Sequence, residues 1–174
     1  WASDEGLWTI KEGDVACASS MIGWKIMGLG GHGSMPEKCK NPVPTTIDIY
    51  LEMQAVVDEW NKTREHFVCT LPMVRGADKE NIIPEHGVIR GTVRNLRREE
   101  AEEFVAILDE IAERHCKEKG LTLEKDLNIF FYPTVVNSKA QCDVVRQAVN
   151  ELHGEGKIIT RNGKIELPVK GSED

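Results

Sequence analysis

Apolar residues alternate with polar or small residues in several short segments of this chain, which is the pattern of a strand with one buried face. The first of these segments, MIGWKIMGL, runs into a glycine-rich bend between Gly28 and Gly33. The last is stopped by Pro133, because proline cannot donate a backbone hydrogen bond to a sheet. The pattern predicts four strands, at residues 21–29, 67–75, 87–96 and 127–132.

Longer segments repeat apolar residues at helical spacing and carry charged residues on the opposite side, as amphipathic helices do. In the first predicted helix, residues 47–61, the stripe expected to be buried consists of Ile47, Leu51, Ala55, Val56 and Trp60. In the second, residues 98–119, it consists of Phe104, Ile107, Leu108, Ile111 and Ala112. A third helix is predicted over residues 140–152, with an apolar face of Cys142, Val145, Ala148, Val149 and Leu152.

The elements predicted between residues 21 and 133 follow the order β-α-β-β-α-β. This order is typical of the ferredoxin-like arrangement, an α+β fold in which a four-stranded antiparallel sheet carries both helices on one face. The sheet face and the two helix stripes can bury each other, so this region could fold as one unit. The third helix and the residues after it lie outside this unit and are expected to begin another domain.

Charge and composition narrow the classes of partner. The 29 acidic residues outnumber the 22 basic ones and give a formal charge of −7, which opposes binding to the phosphates of nucleic acids. Apolar runs stay shorter than the roughly 20 residues that span a bilayer, so no membrane insertion is expected. The five cysteines are widely spaced and form no C-x-x-C pair, which favours reduced thiols and a cytoplasmic protein over a disulfide or zinc framework.

Three polar residues stand where a site is plausible. His32 lies in the glycine-rich string GGHGSMP after a predicted strand, Asn81 opens the string NIIP before another strand, and Arg94 ends the string GTVR. Arginine presents a fork of donors that suits a carboxylate, and asparagine offers an amide donor. Taken singly, each also has an ordinary explanation: an exposed loop histidine, a turn residue and a surface charge.

Taken together and in this order, these strings resemble the lid (dimerisation) domain of the metal-dependent aminoacylase, carboxypeptidase and hippurate-hydrolase family, peptidase family M20. The strings YPTVVN at residues 132–137 and LPVKGSED at residues 167–174 resemble the return of such a chain into its catalytic domain. The resemblance implies three parts: residues 1–20 end a first catalytic segment, residues 21–136 form the lid, and residues 137–174 begin a second segment of the α/β catalytic domain. Both ends of the chain are expected to be cuts through a longer polypeptide.

The resemblance also implies a chemistry: hydrolysis of the amide bond in N-acyl amino acids or similar small substrates. Two divalent ions, zinc or manganese in type, would activate a water molecule in the larger domain. His32 would donate to the developing oxyanion, often in the partner subunit's site, and Asn81 and Arg94 would bind the substrate carboxylate or assist the oxyanion. Gly31 and Gly33 would let the loop approach the substrate closely.

The metal ligands of such enzymes lie mostly outside the stretch that this chain matches. The remaining histidines show no ligand spacing; they are His66, His86, His115 and His153. This chain is therefore predicted to bind no metal and to be inactive by itself. A homodimer is expected through a lid helix and an edge strand, either residues 21–29 or residues 67–75. A self-contained, non-catalytic dimerisation or small-ligand-binding module is the alternative.

Overall fold

The computed structural model describes residues 6–125, 132–159 and 170. Its strands, in chain order, are β1 (Trp8–Thr9), β2 (Gly13–Ala16), β3 (Ala18–Met27), β4 (Gly31–His32), β5 (Val68–Arg75), β6 (Ile82–Ile83), β7 (His86–Asn95), β8 (Thr122–Lys125), β9 (Val135–Asn137) and β10 (Ile158–Ile159). The α-helices are α1 (Val43–Thr63), α2 (Arg98–Lys119) and α3 (Lys139–His153), and a short 3₁₀ turn spans Pro36–Lys38.

The central sheet has four strands in the order β5-β7-β3-β8, and all of its pairs are antiparallel. This confirms the predicted ferredoxin-like α+β fold. The fourth strand of the sheet is Thr122–Lys125, which comes earlier than the predicted segment. Residues 127–131 of that prediction lie outside the described residues, while Tyr132 forms an isolated bridge with Ser19.

Helices α1 and α2 pack on one face of the sheet and enclose an apolar core. At its centre the rings of Trp60, Phe67 and Phe104 contact one another, with centroids 4.9–5.2 Å apart. Most of the stripe predicted for α2 is buried here, including Phe104 and Leu108 at 0% exposure. Burial of this kind provides most of the stability of a small domain.

The stripe predicted for α1 was wrong at Ile47, Leu51 and Ala55, whereas Trp60 is buried and Val56 is partly buried against the core. Ile47 and Leu51 are 46% and 61% exposed, and the buried side chains are instead Thr45, Thr46, Ile49, Met53, Val57 and Trp60. The helix carries large apolar residues on two faces, so periodicity by itself did not fix which face turns inward. Packing against the aromatic core makes that choice.

Polar contacts tie α1 to its neighbours on both flanks. The Asn61 amide donates to the Cys69 carbonyl at 2.9 Å and accepts from the Cys69 N–H at 2.8 Å. On the other flank, Glu52 hydrogen bonds with His115 at 2.7 Å and forms an ion pair with Arg114. The His115 hydrogen bond, followed by that of Arg114, lowers the pKa of Glu52 below its ordinary value.

Besides the central sheet, the described residues form smaller strand pairs. β2 pairs antiparallel with β9, and β1 pairs parallel with β10. Helix α3 buries Cys142 and Val149, whereas Val145 and Leu152 of its predicted apolar face are 42% and 78% exposed. The motif at residues 167–174 lies outside the described residues except for Lys170.

Candidate functional site

The loop that carries His32 begins where β3 ends. Leu29 and Lys40 exchange two backbone hydrogen bonds of 2.9 Å, and these bonds close the loop at its base. Within the loop, β4 pairs with β6, which places His32 opposite Ile82. The local fold therefore holds the histidine on a short two-stranded projection beside the sheet, with its side chain exposed.

Asn81 lies directly against this projection. The Gly33 N–H donates a 2.9 Å hydrogen bond to the Asn81 carbonyl. A Cβ at Gly33 would lie 3.0 Å from that oxygen, and one at Gly31 would lie 2.6 Å from the Cys39 sulfur. The two glycines thus allow close packing, and the structure brings His32, Asn81, Gly31 and Gly33 into one cluster.

The His32 ring has a defined orientation. Its Nδ1 lies 2.7 Å from the Ser34 Oγ and receives a 3.2 Å hydrogen bond from the Ser34 N–H. A backbone N–H can only donate, so Nδ1 acts as the acceptor. In the neutral ring the proton then resides on Nε2, which is a hydrogen-bond donor for a ligand beside the loop.

Arg94 lies at the other end of the sheet. It pairs with Ser19 across β3, whereas His86, eight residues earlier, pairs with Met27 beside the start of the His32 loop. At about 3.3 Å per residue, these two rows of the sheet are roughly 26 Å apart. The structure therefore does not bring Arg94 together with His32 and Asn81 within one chain.

A groove lies on the uncovered face of the sheet, next to the turn that contains Asn81. It encloses about 570 Å³, and its lining includes the basic side chains Arg75, Lys79, His86 and Arg90. Sequence reasoning missed these residues. The alternation of His86, Val88 and Arg90 along β7 was a usable signal, because residues two apart share a sheet face. Ser34 was also missed, although it is two residues from His32.

Within residues 6–125, 132–159 and 170, no group of three or more His, Cys, Asp or Glu side chains is arranged to hold a metal ion. The helices within these same residues lack the combination of length and apolar composition that a membrane span requires.

Comparison with known proteins identifies the family to which this chain is similar. Residues 19–120 match the family model described as the peptidase dimerisation domain. The chain is 26% identical over 151 residues to the hippurate hydrolase of Campylobacter jejuni, covering 84% of this chain and 38% of that protein. It is 22% identical over 147 residues to thermostable carboxypeptidase 1 of Saccharolobus solfataricus, covering 84% of this chain and 37% of that protein.

A solved structure shares the fold. The dinuclear metal-binding peptidase of the M20 family from Bacillus subtilis aligns with a TM-score of 0.60 at 19% identity, covering 88% of this chain and 36% of that one. The chain thus spans little more than a third of the length of these relatives. The match of the family model over β3, β5 and β7 of the central sheet and over helices α1 and α2 is decisive: the chain belongs to the M20 peptidase family and contains its dimerisation domain.

Proposed function

We propose that this chain contains the lid of a longer, metal-dependent amidohydrolase that cleaves the amide bond of N-acyl amino acids or similar small substrates. The family match and the name of the hippurate hydrolase relative support this proposal. The observation that carries it is the exposed His32 donor, held beside Asn81 on a projection that glycines allow to pack closely.

In this proposal His32 acts on the reacting carbonyl. Its Nε2–H donates to the carbonyl oxygen as negative charge develops there, so it binds the transition state more strongly than the substrate. Loss of one such donor typically costs about 3–4 kcal/mol, or 100- to 1000-fold in kcat. Asn81 and Arg94 would bind the substrate carboxylate or assist the oxyanion, with the arginine fork suited to a carboxylate.

The separation of these residues bears on the assembly. The rows of the sheet next to the His32 loop and at Arg94 are about 26 Å apart, which is too far for one small substrate to contact both. We propose a homodimer in which His32 and Asn81 of one copy serve the site of the partner. Arg94 would serve the site of its own copy.

The dimer surface we propose lies along α1 and β5. β5 ends the strand order of the sheet, whereas β3 has neighbours on both sides at residues 24–27. This favours residues 67–75 over residues 21–29 as the pairing edge. On α1 the exposed Ile47 lies fourteen residues, nearly four whole turns, before Asn61, which contacts β5. Ile47 and the adjacent Leu51 would therefore add apolar contact area beside that edge.

We propose that the two divalent metal ions of the enzyme are bound outside this chain, as the resemblance implies; among the described residues, no group of three or more His, Cys, Asp or Glu side chains could hold them. When bound, such ions lower the pKa of a water molecule and polarise the scissile carbonyl. We propose the same division of the chain as the resemblance implies, with a lid at residues 21–136 between two catalytic segments. Pairing of β2 with β9 supports it, since it joins residues 13–16 and 135–137 near the two crossings.

The test uses the full-length protein that this proposal requires, loaded with zinc or manganese and assayed on N-acyl amino acids. His32→Ala should lower kcat 100- to 1000-fold, because the donor acts in the transition state. Arg94→Ala should mainly raise KM. A normal kcat after His32→Ala would refute the proposed role. The present chain should show no metal-dependent turnover, and calorimetry should detect no zinc or manganese binding tighter than roughly 0.1 mM.

A self-contained dimerisation or small-ligand-binding module is the second candidate. The exposed apolar pair Ile47 and Leu51, next to an edge strand, is the observation that favours it. The two proposals differ in what precedes the chain in its reading frame. A metal-binding H-x-D segment there supports the enzyme, and its absence from the complete frame supports the module.

A further inference from the structure

We infer that Ser34 is a positioning residue for His32: it fixes the tautomer and the orientation of the imidazole, so that Nε2–H faces the ligand. This inference rests on the proposed function of His32. It goes further by assigning a role to a residue outside the set predicted from the motif.

The two contacts of Ser34 act in the same sense. Its backbone N–H, 3.2 Å from Nδ1, can only donate. Its hydroxyl, 2.7 Å from Nδ1, can donate or accept, but it must donate if the ring nitrogen already serves as an acceptor. The tautomer with the proton on Nδ1 would direct that N–H against the backbone N–H. Together the contacts therefore favour the tautomer with the proton on Nε2.

The orientation of the ring follows from the same contacts. Ser34 is two residues after His32, at the tip of the projection, and Gly33 between them is bonded to Asn81. The side of the ring that carries Nδ1 is thus directed back toward the chain, and the side that carries Nε2 is directed away from it. A donor that is already oriented avoids the cost of ordering during the reaction.

The hydroxyl contributes more than the backbone can supply by itself. The 2.7 Å contact of Oγ lies at the usual distance for an O–H donor, whereas the 3.2 Å contact of the backbone nitrogen lies at the long end of the range for an N–H donor. Removal of one such bond changes a population about fivefold. Alanine at this position removes only the Oγ contact and leaves the backbone contact in place, so the effect of the hydroxyl can be measured separately.

The first experiment is long-range ¹H–¹⁵N NMR on this chain labelled at its histidines, at pH 8.5, where an ordinary histidine is neutral. Nitrogens with and without a proton resonate far apart, and His32→Gln identifies the His32 signals by their loss. We expect Nδ1 without a proton in the wild type. In Ser34→Ala the fraction with the proton on Nδ1 should rise about fivefold, and Ser34→Thr, which keeps the hydroxyl, should restore the wild-type spectrum.

Signals of the other four histidines serve as internal controls and should not move. Two results would overturn the inference: a proton on Nδ1 in the wild type, or a Ser34→Ala spectrum identical to that of the wild type. No metal or substrate enters this measurement, so its outcome does not depend on the proposed enzyme activity.

The second experiment measures kcat of the full-length protein. Ser34→Ala should lower kcat about fivefold at unchanged KM, and Ser34→Thr should recover it. A normal kcat in Ser34→Ala beside a lowered kcat in His32→Ala would overturn the positioning role. A normal kcat in His32→Ala would overturn the proposed function instead, and the NMR result would still stand.

Discussion

The distance between His32 and Arg94 leads to a test by mixing two inactive variants of the full-length dimer. If His32 acts in the partner's site and Arg94 acts in its own, a hybrid of His32→Ala with Arg94→Ala contains one intact site. That site combines Arg94 of the first subunit with His32 of the second. The other site of the hybrid lacks both residues, and each parent homodimer lacks one residue in both of its sites.

The expected recovery follows from counting sites. Random exchange of equal amounts of the two variants makes about half of the dimers hybrid, and each hybrid has one competent site of two, so about a quarter of wild-type activity should return. Hybrids purified with two different tags should reach about half. Each parent should remain at about 1% of wild type or below at a substrate concentration under KM, since a single lost contact of this kind costs roughly 100-fold or more.

The assay is hydrolysis of an N-acyl amino acid before and after subunit exchange. His32→Ala mixed with Asn81→Ala is the matched control. Both residues belong to the same cluster, so neither site of that hybrid is complete and no activity should return. Activity of the first mixture that stays at the level of its parents would refute the argument, because it would mean that His32 and Arg94 serve one site from the same subunit.

Three further predictions concern the stability and reactivity of this chain. Glu52→Gln should lower the free energy of unfolding by less than about 1 kcal/mol at pH 7. The hydrogen bond from His115 lowers the pKa of Glu52. The difference in the free energy of unfolding between wild type and variant should therefore persist above pH 5 and disappear as the pH falls through that lowered pKa. Urea unfolding at a series of pH values measures this difference. Gly91→Ala should lower the free energy of unfolding by about 3 kcal/mol or more, since its Cβ would lie 2.1 Å from a backbone carbonyl oxygen of β5. A free energy of unfolding equal to that of the wild type would contradict this packing. Burial raises the pKa of the Cys69 thiol to about 12. At pH 8, iodoacetamide should therefore modify the more accessible Cys39 first, as followed by mass spectrometry. Modification of Cys69 before Cys39 would contradict this.

Much of the fold could be predicted from the sequence because its strands have one buried face. In β7, buried residues alternate with half-buried or exposed ones along the whole strand, so period two identified it. The inward face of α1 could not be predicted in this way. Ile47 and Leu51 look as suitable for the core as Ile49 and Met53 do, and only contact with the sheet and with α2 separates the two pairs.

The sequence also indicated which residue types form the candidate site, but it could not show how they are arranged. The position of Gly33 beside Asn81 depends on a hydrogen bond between two loops that are 48 residues apart along the chain. The contact between Ser34 and His32 was local, yet serine is common in turns and gave no separate signal. The separation of His32 from Arg94 depends on the register of β3 with β7, which composition does not encode.

This separation is a property of strand length. β3 and β7 are both ten residues long, and they pair in continuous register from Ala18–Asn95 to Met27–His86. Shortening both strands by two residues would bring the two ends of the sheet only about 7 Å closer. Strands shortened by this amount would still leave the row next to the His32 loop far from the row of Arg94. A site that uses both residues on one small substrate would therefore take them from two copies, which would explain why these residues belong to a dimerisation domain. If the proposed site uses both residues, the length of these strands would make each active site depend on the dimer.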